Sequence, residues 1–257
     1  MTKLSAMDIV QQARSDDKVT GLEIIQHLMP DFMELHGDRL GSDDPAIIGG
    51  IATFNGQPVT VISTDRGQTP ADKLKKHFGS PMPGGYRKAL RLIQQAGKFR
   101  RPVICLVNTA GAFPSKDAEE EGQGAAIAQN IYQIMQTPTP IITVIYGEGG
   151  SGGALALACG DEIWMLEHST YSVLSPEGFA SILWKDGSRA AEAAEIMQMT
   201  PGPLLKHGII EGIIPESHDH VTTILAIKQV LSAELTKLQG RSPEQLLKLR
   251  HARYRKF

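Results

Sequence analysis

The chain has 257 residues, room for one large domain, and its 41% hydrophobic and 21% charged residues are those of an ordinary globular protein. A formal net charge of −2 argues against bulk nucleic-acid binding, and no apolar run approaches the ~18 residues of a membrane span. Two cysteines, Cys105 and Cys159, sit in apolar segments outside any Cys-x-x-Cys, which speaks against a disulfide framework or a zinc ribbon and for buried thiols.

Residues 1–40 read as a helical preamble. They lack the apolar stretch of a signal peptide, so a cytoplasmic location is expected. Residues 8–14 form a short amphipathic run. Thr20-Gly21-Leu22-Glu23 is a capping box before Ile24, Ile25 and Leu28. A further helical turn is expected from Pro30 to Gly37. Two strands, 46–54 and 58–63, flank Asn55-Gly56, a strong hairpin signal. A helix follows over 85–97.

Between Asp65 and Arg101 lie ten Lys or Arg and only two acids, Asp65 and Asp72. Such an excess attracts anions or an acidic partner, although a solvated helix face has the same signature.

Strand and helix then alternate: strand 101–107, helix 119–136, strand 140–146, a short helix 154–159 and strand 162–166. This is the pattern of a parallel sheet, whose ligands lie at the carboxyl ends of its strands. The last third is mainly helical (189–199, 202–207 and 220–238). The basic tail after Arg241 offers little apolar surface, so a frayed helix or a contact with another chain is expected there. The eight histidines show no metal-ligand spacing, and no metal site is expected.

The glycine run Gly147-Glu148-Gly149-Gly150-Ser151-Gly152-Gly153 fits more than one motif. Gly147-x-Gly149-x-x-Gly152 matches a dinucleotide fingerprint, with Glu167 about 20 residues on as the ribose acid, but too few residues follow for a crossover helix. Gly149-x-Ser151-x-Gly153 matches a nucleophile elbow, with Asp186 and His207 or His218 as partners, yet no His-Gly-Gly-Gly motif precedes it. Read as a backbone anion cradle, consecutive glycines at a helix start let N–H groups converge on an oxyanion, with Thr109-Ala110-Gly111-Ala112 supplying a second donor. A tight packing turn without ligand is the plain alternative.

Longer motifs carry a resemblance. Residues 34–39 (Glu-Leu-His-Gly-Asp-Arg), 44–50 (Asp-Pro-Ala-Ile-Ile-Gly-Gly), 84–89 (Gly-Gly-Tyr-Arg-Lys-Ala), 147–157 and 169–185 resemble, collinearly and over nearly the whole chain, the alpha-subunit family of bacterial acetyl-CoA carboxylase carboxyltransferases. The resemblance implies an α/β crotonase-like fold of repeated ββα units with helical N- and C-terminal segments. It implies one carboxyltransferase domain over 1–257: preamble 1–40, core 44–215, and C-terminal helix with basic tail 216–257.

It also implies carboxyl transfer from carboxybiotin on a separate biotin carboxyl carrier protein to acetyl-CoA, giving malonyl-CoA for fatty acid biosynthesis. The implied partners are a beta subunit in an α2β2 complex, which would own the zinc, and a biotin carboxylase. This chain has no Met-Lys-Met biotinylation site. Gly149 and Gly150, helped by Gly111 and Ala112, would hold the ureido oxygen. Gly152 and Gly153, with Lys73, Arg87 and Lys88 of the basic stretch, would bind substrate, the cations meeting CoA phosphates or the carrier. Ser115 and Glu121 depart from the family pattern, which has glycine and arginine there.

Overall fold

The computed structural model describes residues 4–257. Helices α1 (Ala6–Arg14) and α2 (Gly21–Leu28) each start in a reciprocal capping box, Ser5 with Asp8 and Thr20 with Glu23. Each box satisfies backbone N–H groups that a helix start leaves open. The turn expected after Pro30 is not helical. Met33–Glu34 forms an edge strand, β1, antiparallel to β2 (Ile47–Phe54). The open backbone groups of β2 are answered there by strand pairing, and Leu35 extends it by donating to the Gly49 carbonyl at 2.8 Å.

The hairpin of β2 and β3 (Gln57–Thr64) turns at Asn55 and Gly56. Both have positive φ, +49° and +77°, as a two-residue type I′ loop requires. There follow α3 (Pro70–Lys75), α4 (Pro83–Phe99), β4 (Val103–Thr109), α5 (Lys116–Glu120), α6 (Gln123–Gln136), β5 (Ile141–Gly150), α7 (Ser151–Leu155), β6 (Glu162–Leu166), β7 (Thr170–Ser172) and α8 (Pro176–Trp184). The chain closes with α9 (Ala190–Met197), α10 (Pro201–Lys206), β8 (Gly212–Ile214), α11 (His220–Gln239) and α12 (Pro243–Tyr254). The single helix expected over 119–136 is two, because Gly122 adopts φ +85° between α5 and α6. Helix α8 was not expected, although Ser175 caps it and Pro176 opens it, an ordinary start signal.

The sheet runs β1-β2-β3-β4-β5-β6-β8, parallel from β3 onward, and β7 pairs with the far end of β5. Side chains of β4 alternate between two cores. Ile104 and Leu106 face α2 and α11, whereas Cys105 and Val107 face α4 and the apolar side of α6. Burial on both faces explains why β4 reads as an unbroken apolar run. Cys105 and Cys159 are free and buried, and burial pushes each thiol up to about 12.

The basic tail is docked, not frayed. In α12, Arg250 is completely buried. Its guanidinium donates to both carboxylate oxygens of Asp161 (2.9 and 2.6 Å) and to the carbonyls of Ile134, Thr137 and Thr139. Arg253 pairs with Glu211 and donates to the Ile209 carbonyl at 2.7 Å. These cations hold the helix through backbone carbonyls, a role that a search for apolar stripes does not find.

Candidate functional site

Strands β4 and β5 end side by side. The glycine run is less a turn than expected, since β5 continues through Gly150. Gly149 is in register with Thr109 of β4 and Tyr171 of β7, and Gly150 with Ser172. The chain turns the corner at Ser151, whose φ of +51° is uncommon for a residue with a side chain. Gly150 is the N-cap of α7 and offers no side-chain acceptor, so the N–H groups of the first turn are left open.

Close backbone approach explains the glycines. A Cβ on Gly150 would lie 2.0 Å from the Ala110 carbonyl oxygen, and one on Gly153 would lie 2.4 Å from the Ala112 nitrogen and 2.6 Å from Tyr86 Oη. A Cβ on Gly147 would strike the Asn108 side chain at 2.4 Å. Residues 110–112 and 150–153 are therefore in contact, as a cradle built from two strand ends needs.

The donors are unequal. The Gly111 N–H is spent on Thr109 Oγ1 at 3.1 Å. The Ala112 N–H has no acceptor among the described residues, and the buried Tyr86 hydroxyl has no partner there either. Burial, followed by the charge of Asp44, raises the Tyr86 pKa and keeps the phenol neutral.

The expected cations do not gather at this cradle. Lys88 is buried, with Nζ on Asp43 (2.6 Å) and the Asp44 carbonyl (3.0 Å), and cannot meet a ligand at the surface. Arg87 holds Asp38 (2.7 Å) and the Glu121 carbonyl (3.2 Å), and Lys73 holds Asp16 (2.6 Å). Lys76 is paired with Asp65 and Asp72. Much of the basic run is thus matched by acids, several of them distant in sequence.

The charged groups that border the glycines pair across the fold, which no local motif announces. Glu148 accepts from Arg14 Nε at 2.8 Å and from Arg66 Nη1 at 3.3 Å. Its N–H donates to Asn108 Oδ1 at 3.0 Å. An apolar groove of about 300 Å³ opens beside Ser151 and Gly152, walled by Leu155, Tyr171, Val173, Leu204 and Ile209. Of the two departures, Ser115 caps α5 by accepting from Ala118, and Glu121 lends only its carbonyl to Arg87.

The competing motifs lack their companions. His207 is bonded to Gln198 at 2.6 Å, and Asp186 caps a turn at Ser188, so neither serves Ser151. His218 lines a different cavity, with Lys18 and Glu216. The five residues of α7 are too few for a dinucleotide crossover helix.

Over residues 1–257 the chain matches the family described as acetyl co-enzyme A carboxylase carboxyltransferase-like. It is 52% identical over 258 residues to the acetyl-coenzyme A carboxylase carboxyl transferase subunit alpha of Streptococcus sanguinis strain SK36, covering 100% of both chains. It is 54% identical over 251 residues to the same subunit of Streptococcus pyogenes serotype M12 strain MGAS2096, covering 97% of this chain and 98% of the relative.

Two solved structures share the fold. Transcarboxylase 12S with hydrolyzed methylmalonyl-coenzyme A superposes with a TM-score of 0.68 at 18% identity, covering 88% of this chain and 44% of that one. The beta subunit of P. aeruginosa geranyl-CoA carboxylase gives a TM-score of 0.69 at 16% identity, covering 95% of this chain and 46% of that one. This chain spans less than half the length of either neighbour. The crotonase-like architecture implied by the sequence is the one observed, and the chain belongs to the alpha-subunit family of acetyl-CoA carboxylase carboxyltransferases.

Proposed function

We propose that this chain supplies one anion cradle of a two-subunit carboxyltransferase that moves a carboxyl group from carboxybiotin to acetyl-CoA. The observation that carries the reading is the contact between residues 110–112 and 150–153, which leaves the Ala112 N–H without an acceptor beside the open first turn of α7. The amides of Gly152 and Gly153 in the open first turn of α7, with Ala112 across from them, would hold the ureido oxygen on which charge develops, while Gly149 and Gly150, whose backbone pairs in the sheet, let the two strand ends approach this closely. Gly111 contributes its left-handed backbone (φ +140°) rather than its N–H, which Thr109 already holds.

When bound, carboxybiotin supplies the carboxyl group and, once that is lost, the base for the acetyl proton. This chain then needs no general base of its own. Glu148, the carboxylate that stands among the glycines, is tied to two arginines. A beta subunit would hold the thioester oxygen and carry the zinc, and the carrier protein and biotin carboxylase would complete a cytoplasmic assembly. The apolar groove beside Gly152 fits the uncharged part of a substrate. Lys73 lines a separate cavity with Asp16, Glu23 and His220, where Asp16 already holds its ammonium.

The test is reconstitution with a beta subunit, acetyl-CoA and an N-carboxylated biotin analogue as carboxyl donor. Malonyl-CoA should form only when both subunits are present. Gly150→Ala should lower kcat by roughly 10²-fold or more in an assembled, folded complex. Turnover by Gly150→Ala at the wild-type rate would overturn the oxyanion assignment.

A further inference from the structure

Glu148 stands between the glycines of the cradle and is fixed from two directions. Its N–H is held by Asn108, and its carboxylate by Arg14 of α1 and Arg66. Arg14 also reaches Glu177 of α8, with Nη1 at 2.8 Å and Nη2 at 3.3 Å. One guanidinium thus joins the N-terminal helix, the end of β5 and the start of α8. The Glu148 side chain is 12% exposed, which limits the screening of its own contacts, whereas the Glu177 side chain is 44% exposed. Hydrogen bonding to Glu177 raises the Arg14 pKa and lowers that of Glu177, so both stay ionised through the neutral range.

We propose that Arg14 and Glu148 are positioning residues for carboxyl transfer: held between Asn108, Arg14 and Arg66, Glu148 fixes the end of β5, and with it the corner at Ser151 beyond which the open amides of α7 face the developing oxyanion. Strand pairing holds Gly149 and Gly150, and the clamp adds the one side-chain constraint available at this strand end, from the only non-glycine residue among Gly147, Glu148, Gly149 and Gly150. The N-terminal helix therefore acts in the chemistry while touching no substrate. The inference rests on the oxyanion reading above.

The experiment uses the reconstituted complex with acetyl-CoA and an N-carboxylated biotin analogue. Glu148→Gln keeps the shape and loses the charge, and should lower kcat by roughly 10²-fold, as misplacement of a catalytic group does, with both KM values and the melting temperature unchanged. Arg14→Lys should fall between wild type and Arg14→Ala. The double variant Arg14→Ala/Glu148→Gln should be no worse than Glu148→Gln alone, because the two act as one unit.

A wild-type kcat in Glu148→Gln, or a loss that appears only with a lowered melting temperature or lost assembly, overturns the proposal. Gly150→Ala measured alongside separates the two ideas. If it loses turnover while Glu148→Gln keeps it, the oxyanion reading survives and the clamp falls; if it turns over normally, the reading falls and takes the clamp's stated role with it.

Discussion

Arg250 and Asp161 form a bidentate pair inside the protein, the arginine side chain 0% and the aspartate 4% exposed. The remaining guanidinium hydrogens are taken by carbonyls at the end of α6 and in the loop that leads to β5. Asp161 also accepts from the Ile141 N–H at 2.8 Å, so the pair ties α12 to the first residue of β5. Removing one partner of such a pair strands the other in the interior, which costs about 3–5 kcal/mol. Arg250→Ala should lose stability of that order, and Arg250→Lys most of it, since an ammonium cannot reproduce the fork. The urea midpoint of the folded chain measures both.

That pair also shows where sequence reading stops. The capping box at Thr20, the Asn55-Gly56 hairpin and the strand over 103–107 were legible because each signal lies within a few residues. The juxtaposition of Gly111–Ala112 with the glycine run was legible too, because parallel strands bring their carboxyl ends together. Glu148 and Arg14 were not, being 134 positions apart and meeting only once α1 is packed on β5. Lys88 misled for the same reason: on charge alone it is one of ten cations, and only the fold reveals Asp43 and the Asp44 carbonyl waiting for it.

Gly153 is expected to tolerate no side chain. The Cβ of Gly153→Ala would meet backbone at Ala112 and the Tyr86 hydroxyl, and neither is the free end of a flexible chain. The corner must open by several tenths of an ångström, carrying the Ala112 N–H out of line. The expected loss is roughly 10²-fold in kcat of the reconstituted complex. Gly202→Ala, where nothing lies within 4 Å of the new carbon, is the control and should leave turnover as it is.

His220 should make stability depend on pH. Its Nε2 faces the Asp17 carbonyl at 2.8 Å and its Nδ1 faces Glu23 at 3.3 Å, so only the doubly protonated ring satisfies both acceptors. Partial burial works against the charge, but the contacts with Asp17 and Glu23 outweigh it and the pKa is raised. A raised folded-state value means that the stabilisation is fully present below the unfolded histidine pKa of about 6.5 and is lost as pH climbs through the folded value. Urea midpoints compared between about pH 5 and 8 should therefore fall more steeply with pH in wild type than in His220→Gln.

Ser151 separates a nucleophile from a spacer. It is exposed at φ +51°, and among the described residues no histidine or carboxylate is bonded to it. A left-handed backbone costs a residue with a side chain about 1–2 kcal/mol, whereas glycine adopts it freely. Ser151→Gly should thus fold at least as well as wild type, since the relieved strain offsets the added freedom of the unfolded chain. Its kcat should be unchanged, because only the backbone of this corner is asked to act. Loss of a true serine nucleophile costs on the order of 10⁶-fold, so one rate measurement decides between the two roles. A fluorophosphonate probe gives the same answer by another route. It should leave the wild-type chain unlabelled, since an unactivated hydroxyl at an open helix start is a poor nucleophile however well the amides beside it are placed.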